Sequence, residues 1–184
     1  MAGPVIAITD SVFPSLDPAK AALAKLNPTF RMSKSANADD ILSVSKDADA
    51  ILVTYAKLTR EILTQLTKCK AIGRFGLGVD NIDLPTAKEK GIAVNYVPDY
   101  CIREVSDHAM ALLLALTREL TYYIPIRPQE TWGKPEVLAR DLDGSTAVII
   151  GVGGIGSEIA KRAWASGMKV MGVDPEDINP SSSG

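Results

Sequence analysis

The chain has 184 residues, 46% apolar and 23% charged, with a formal net charge of −2 at pH 7, which suits one large or two small water-soluble domains. That charge gives no basis for a nucleic-acid partner or an acidic membrane surface, and the longest apolar run of the central helix, Ala109 to Leu116, is too short to span a bilayer. No basic segment followed by an apolar core opens the chain, so no signal peptide is expected and the cytoplasm is the default; Cys69 and Cys101 make neither a metal spacing nor a disulfide framework.

Val5 to Thr9 reads as a first strand, and Asp17-Pro18 opens a helix whose Ala/Leu/Lys pattern runs to Leu26. Thr29 to Met32 is a short second strand, a helix spans about Asp39 to Lys46, and Ala50 to Val53 is a third strand. Thr59 is expected to cap a helix containing Ile62, Leu63 and Leu66; Ala71 to Phe75, Leu84 to Lys90 and Ile92 to Val94 then read as strand, short helix and strand. This alternation predicts an α/β fold with a parallel, doubly wound sheet. A single helix from about Arg103 to Leu120 is expected to bridge a first domain, 1–100, to a second, 101–184. The span Thr121 to Asp143, with three prolines, two tyrosines and Trp132, is too long for a simple connection and reads as an arm that packs on a partner subunit. The stretch Pro180 to Gly184 reads as flexible.

Two glycine-bearing stretches carry the chemistry. In Gly73 to Asp83, glycines directly after a strand let successive backbone N–H groups converge, which makes either an anion cradle or a structural turn. Asn81 and Asp83 are expected to cap the next helix, which Pro85 helps to start. In the second stretch, the apolar run Thr146 to Ile150 predicts a buried parallel strand, and Gly151-Val152-Gly153-Gly154-Ile155-Gly156 fits G-x-G-x-x-G. A helix follows with Ile159, Ala160, Ala163 and Trp164 on one face, and a second strand, Met168 to Val173, ends at Asp174. Strand, glycine turn, helix and a trailing acid form the context of a dinucleotide site. Gly151 permits the tight turn, Gly153 lets backbone approach a pyrophosphate, and Gly156 lets helix and strand pack closely. The amides near Gly154 and Ile155 lie at the positive end of the helix dipole. Asp174 would accept from an adenosine ribose, and with no Lys or Arg after it and Glu176 and Asp177 beside it, NAD is favoured over NADP.

Phe75 to Asp83, Val97-Pro98-Asp99, Asp107 to Leu112 and the glycine fingerprint, in that order, resemble the D-isomer-specific 2-hydroxyacid dehydrogenases. That family includes phosphoglycerate dehydrogenase-like and glyoxylate/hydroxypyruvate reductase-like enzymes. The resemblance implies a flavodoxin-like substrate domain followed by a Rossmann domain of which this chain holds only the first βαβ unit. It implies that the amides of Leu77 and Gly78 hold a substrate carboxylate, with Thr54 to Lys57, Tyr55 and Lys57 included, flanking the pocket. Gly153, Gly154, Ile155 and Gly156 would hold the pyrophosphate, Asp174 the ribose, and residues 103–140 a homodimer interface. The implied reaction is NAD-dependent interconversion of a small D-2-hydroxy acid and its 2-keto acid.

The family's catalytic Arg, Glu and His have no match here. The single histidine, His108, opens an apolar helix and is expected to be structural; Arg103 and Arg74 lie outside the catalytic arginine's context, and no catalytic residue is assigned. The chain is therefore expected to be the front part of such an enzyme, cut short and inactive alone. The alternative is a non-catalytic nucleotide- or partner-binding product, as in the family's corepressor branch. Lys57 is expected to be a solvated surface lysine.

Overall fold

The computed structural model describes residues 3–126 and 139–175. The chain divides into two units, Met1–Tyr100 and Cys101–Gly184. In the first, strands β1 (Val5–Ile8), β2 (Thr29–Met32), β3 (Ala50–Val53), β4 (Ala71–Arg74) and β5 (Ala93–Asn95) form one parallel sheet in the order β2-β1-β3-β4-β5. Consecutive side chains of a strand point to opposite faces, yet Ile6, Ala7 and Ile8 are all buried, so both faces of β1 are covered, as in doubly wound folds. Helix α2 (Ala38–Ser45) packs on β1 and β2, α3 (Arg60–Gln65) packs between α2 and α4 (Leu84–Glu89), and α4 packs on β5, while α1 (Asp17–Leu23) buries no residue. Ile41, Ile51, Val53, Leu58, Leu63 and Ile72 form the fully buried centre. This is the flavodoxin-like strand order, and it reverses direction between β1 and β3, so a ligand crevice is expected at the carboxyl ends of those two strands.

Local chemistry departs from the sequence reading at several points. The first helix stops at Leu23, continues as a 3-10 turn through Leu26, and ends at Asn27 with φ 48°, a left-handed conformation that asparagine tolerates. Thr59 stands at the N-cap of α3 but makes no side-chain cap bond; its hydroxyl serves Glu61, whose carboxyl is held below its ordinary value by that bond. Leu66 lies just past α3, in extended conformation. Asp83 caps α4, accepting from the Thr86 amide at 2.9 Å. Asn81 does not cap: its Nδ2 donates to the Ala56 carbonyl at 2.9 Å and the Thr54 carbonyl at 3.4 Å, tying the turn after β4 to the loop after β3.

The second unit holds α5 (Ile102–Thr117), α6 (Leu120–Ile126), β6 (Thr146–Ile150), α7 (Gly154–Ala165) and β7 (Lys169–Val173). The expected single helix over 103–120 is broken at Arg118 and Glu119, where Glu119 adopts φ 53°. The physical reason is capture of the Thr117 carbonyl by the Arg140 amide at 2.8 Å, which takes the acceptor that the next helical turn would use. Helix α7 packs on α5 where Ser106, fully buried, donates to the Ile102 carbonyl at 2.6 Å. Met110, Leu142, Ala163 and Met168 form the small core, and Arg162 is paired with Asp107 at 2.7 Å and Glu158 at 2.6 Å. Two expectations fail here. Trp164 is 74% exposed rather than on the packed face, and β6 is not a buried strand, since Ile150 is 85% exposed and only Ile149 is buried. Among the described residues the unit offers β6 a single strand partner, β7. Most of the expected arm, Trp132 included, lies outside the described residues, as do Glu176, Asp177 and the 180–184 stretch. Among the described residues no helix is long and apolar enough to cross a membrane.

Candidate functional site

The first unit gathers its polar chemistry at the carboxyl ends of β1, β3 and β4. Asp10, two residues after β1, accepts from the Thr54 amide at 3.0 Å, the Tyr55 amide at 2.6 Å and the Thr9 hydroxyl at 2.9 Å. Burial alone would raise its carboxyl, but these donors together hold it below its ordinary value. The loop that they fix carries Tyr55 and Lys57, both exposed. After β4 the backbone turns sharply at Gly76, which is buried and has φ 156°. Leu77 is half-buried and Gly78 exposed. Among the described residues neither the Leu77 nor the Gly78 amide donates a hydrogen bond, so both N–H groups remain available at the ligand end of the sheet. Asp80 stands on the same turn, its Oδ1 2.9 Å from where a Cβ on Gly78 would lie.

In the second unit the fingerprint glycines each have a local cause. Gly151 has φ 87° between β6 and the turn, a conformation that needs glycine. A Cβ on Gly156 would lie 3.0 Å from the Gly151 carbonyl carbon and closer still to its oxygen, so only glycine lets α7 start this near β6. A Cβ on Gly153 would meet nothing within 4 Å, and the amides of the first turn of α7, which starts at the next residue, have no intrahelical partner. Asp174, just beyond β7, reaches back with Oδ2 to accept from the Val152 amide at 2.6 Å. The acid thus holds the glycine turn as well as standing at the end of the second strand.

The model of the D-isomer specific 2-hydroxyacid dehydrogenase catalytic domain matches residues 6–172. The chain belongs to the D-isomer-specific 2-hydroxyacid dehydrogenase family. It is 38% identical over 138 residues to the D-3-phosphoglycerate dehydrogenase of Methanocaldococcus jannaschii, covering 74% of this chain and 26% of that one. Identity to the hydroxypyruvate reductase of Thermotoga maritima is also 38%, over 74% of this chain and 45% of that protein. A D-lactate dehydrogenase from Aquifex aeolicus, solved with NAD and lactic acid, superposes with a TM-score of 0.80 at 30% identity, over 94% of this chain and 52% of that one. The chain therefore spans about half or less of the length of these relatives.

Against this 2-hydroxyacid dehydrogenase frame, each unit brings one set of expected residues together. Tyr55 lies close to the Gly76 turn through Arg74, whose Cζ sits 5.9 Å from the Tyr55 ring centroid. Gly151 to Gly156 lie with Asp174. Lys57 is exposed and makes no ion pair among the described residues. His108 is exposed on α5, so its side chain does not pack in the core of its own unit. Sequence reasoning passed over Asp10 and set Arg74 aside. A signal for Asp10 was present: an acid two residues after an apolar strand sits where doubly wound sheets bind ligands. The Arg74 contact with Tyr55 had none, because it joins residues from two different strand ends.

Proposed function

We propose that these 184 residues carry the carboxylate and cofactor-phosphate sites of an NAD-dependent oxidoreductase acting on the CH–OH group of a small D-2-hydroxy acid, or reducing the matching 2-keto acid. The observation that carries the reading is the strand–turn–helix at 146–165, in which a Cβ on Gly153 would meet open space beside the start of α7 while Asp174 accepts from the Val152 amide of the turn. Gly151, Gly153, Gly154, Ile155 and Gly156 hold the pyrophosphate of NAD, and Asp174 takes the adenosine ribose. NAD, when bound, supplies the hydride acceptor for alcohol oxidation. Leu77 and Gly78 hold the substrate carboxylate, flanked by Tyr55 and Lys57. Residues 1–100 act as the substrate domain and 101–184 as the bridging helix and cofactor βαβ unit. A homodimer through residues 103–140 and a cytoplasmic location complete the reading.

Taken alone, these residues do not transfer hydride. Reduction of a keto acid needs a proton donor at the carbonyl, worth about 10²–10⁴ in rate, and the one histidine is the exposed His108. The test is NADH oxidation with glyoxylate, hydroxypyruvate and phenylpyruvate, on protein of verified intact mass. No turnover is expected, and turnover that Gly153→Val abolishes would overturn the inactivity. In the same preparation NAD should shift the amide resonances of Gly154, Ile155 and Gly156; silence there would sink the cofactor assignment. A second reading, a non-catalytic chain that binds NAD or a protein partner, has the exposed Val148, Ile150 and Trp164 in its favour.

A further inference from the structure

The ligand crevice of this sheet lies at the carboxyl ends of β1 and β3, where the strand order reverses, and a carboxylate of the chain itself stands there. The successive amides of Thr54 and Tyr55 donate to Asp10 at 3.0 Å and 2.6 Å, the arrangement by which a backbone nest takes a small anion. The Thr9 hydroxyl adds a third donor at 2.9 Å, and Thr9 and Thr54 are both buried. The peptide group that joins Thr54 to Tyr55 is gripped at both ends. Its N–H donates to Asp10, and its C=O accepts from Asn81 Nδ2 at 3.4 Å. The same Nδ2 donates to the Ala56 carbonyl at 2.9 Å, and the Leu58 amide donates to the Asn81 carbonyl at 2.8 Å. Asn81 belongs to the stretch that begins with the Leu77–Gly78 turn. A continuous run of hydrogen bonds therefore leads from the end of β1, through the loop after β3, to the turn after β4.

We propose that Asp10 is a positioning residue for the substrate site: its carboxylate occupies the nest at the strand-order reversal in place of a ligand and, with Asn81 on the other end of the same peptide, sets the Tyr55–Lys57 loop against the Leu77–Gly78 cradle. The proposal rests on the cradle reading above. Two effects of Asp10 oppose each other. As a charge it repels a carboxylate that approaches the cradle, and screened by water that repulsion is worth only about twofold in affinity. As an acceptor for two adjacent amides it orders the loop before substrate arrives, so that binding need not supply the ordering. Hydrogen bonds to a charged group are worth about tenfold or more each, and the second effect wins.

The test titrates the full chain with D-lactate, D-glycerate and D-phenyllactate, following the Leu77 and Gly78 amides by NMR in the parent, Asp10→Asn, Asp10→Gly and Asn81→Ala. Charge alone predicts tighter binding by Asp10→Asn; positioning predicts a Kd raised about tenfold. Asn81→Ala should raise it too, and the double variant by less than the product of the two factors, because both side chains grip one peptide. Asp10→Gly vacates the nest. Sodium formate should then enter it, shift the Thr54 and Tyr55 amides and restore binding of the acids several-fold, whereas in the parent formate can only compete. Asp10→Asn keeps the size of the side chain and one acceptor oxygen, and covers the case in which Asp10→Gly fails to fold. Binding by Asp10→Asn as tight as the parent's, or tighter, overturns the proposal, as does formate that weakens binding in Asp10→Gly. Silence of the Leu77 and Gly78 amides in the parent with all three acids overturns the cradle reading itself, and the role of Asp10 with it.

Discussion

Gly153 and Gly156 stand three residues apart in one motif, yet they should respond oppositely to the same methyl group. At Gly156 an alanine Cβ would lie 3.0 Å from the Gly151 carbonyl carbon and 3.3 Å from Ile149 Cγ2, with the Gly151 oxygen nearer still. The obstacle is backbone, so the start of α7 must move away from the turn. Overpacking of this kind costs about 1–3 kcal/mol, and the top of that range applies because no side chain can rotate clear. Alanine recovers about 1 kcal/mol of helix propensity, leaving a net loss of about 2 kcal/mol. At Gly153 the added Cβ meets open space, and the backbone, φ −70° and ψ −161°, is extended. There the lost unfolded-state entropy, about 0.4–1 kcal/mol in favour of alanine, offsets the poorer N-cap, so stability should stay within about 0.5 kcal/mol. Native-state hydrogen exchange read by mass spectrometry on peptides from 146–173 separates the cases. Gly156→Ala should exchange about 30-fold faster in the β6 and β7 peptides, the factor that 2 kcal/mol implies, while Gly153→Ala matches the parent. Calorimetry should then find NAD binding to Gly153→Ala weakened by at least about tenfold, as loss of one charge-assisted contact implies. Equal exchange in both variants would refute the close-approach argument, and undiminished NAD binding by Gly153→Ala would refute the pyrophosphate placement.

Asp174→Ala should narrow a preference for NADH over NADPH and leave the Val152 amide without its 2.6 Å acceptor, costing about 1–2 kcal/mol locally; measured Kd values for both cofactors check it, and a parent chain that prefers NADPH would remove the ribose assignment. Asp10 has a folded pKa below its ordinary 3.8. The stability it supplies is therefore complete above about pH 4 and lost as pH falls through the folded value. Asp10→Asn should be about 1 kcal/mol less stable at pH 7, a value reduced for solvent screening at this partly open site, and its urea midpoint should change less than the parent's between pH 5 and pH 3. Equal changes would show that Asp10 does not hold the loop. Leu116 is 72% exposed on α5; sedimentation at micromolar concentration should find a dimer that Leu116→Glu dissociates, and a monomeric, well-folded parent would count against the interface.

Short-range pattern was enough to reveal β2 and β3 to the residue, the parallel α/β alternation, the Asp83 cap and the glycine fingerprint, because each depends on side-chain period or backbone sterics within a few positions. The same local grammar misjudged what depends on distant neighbours. Whether Thr117 continues a helix was decided by the Arg140 amide, 23 residues away. Asn81, a plausible cap by position, found the Ala56 and Thr54 carbonyls. The apolar run Thr146–Ile150 promises a buried strand only if other elements lie against it, and among the described residues few do. Arg74 has an ordinary place in the sequence, one residue past Gly73. Its position over Gly76 and against Tyr55 exists only because β3 and β4 pair in parallel register, Val53 opposite Arg74, which brings the residues following both strands to one end of the sheet.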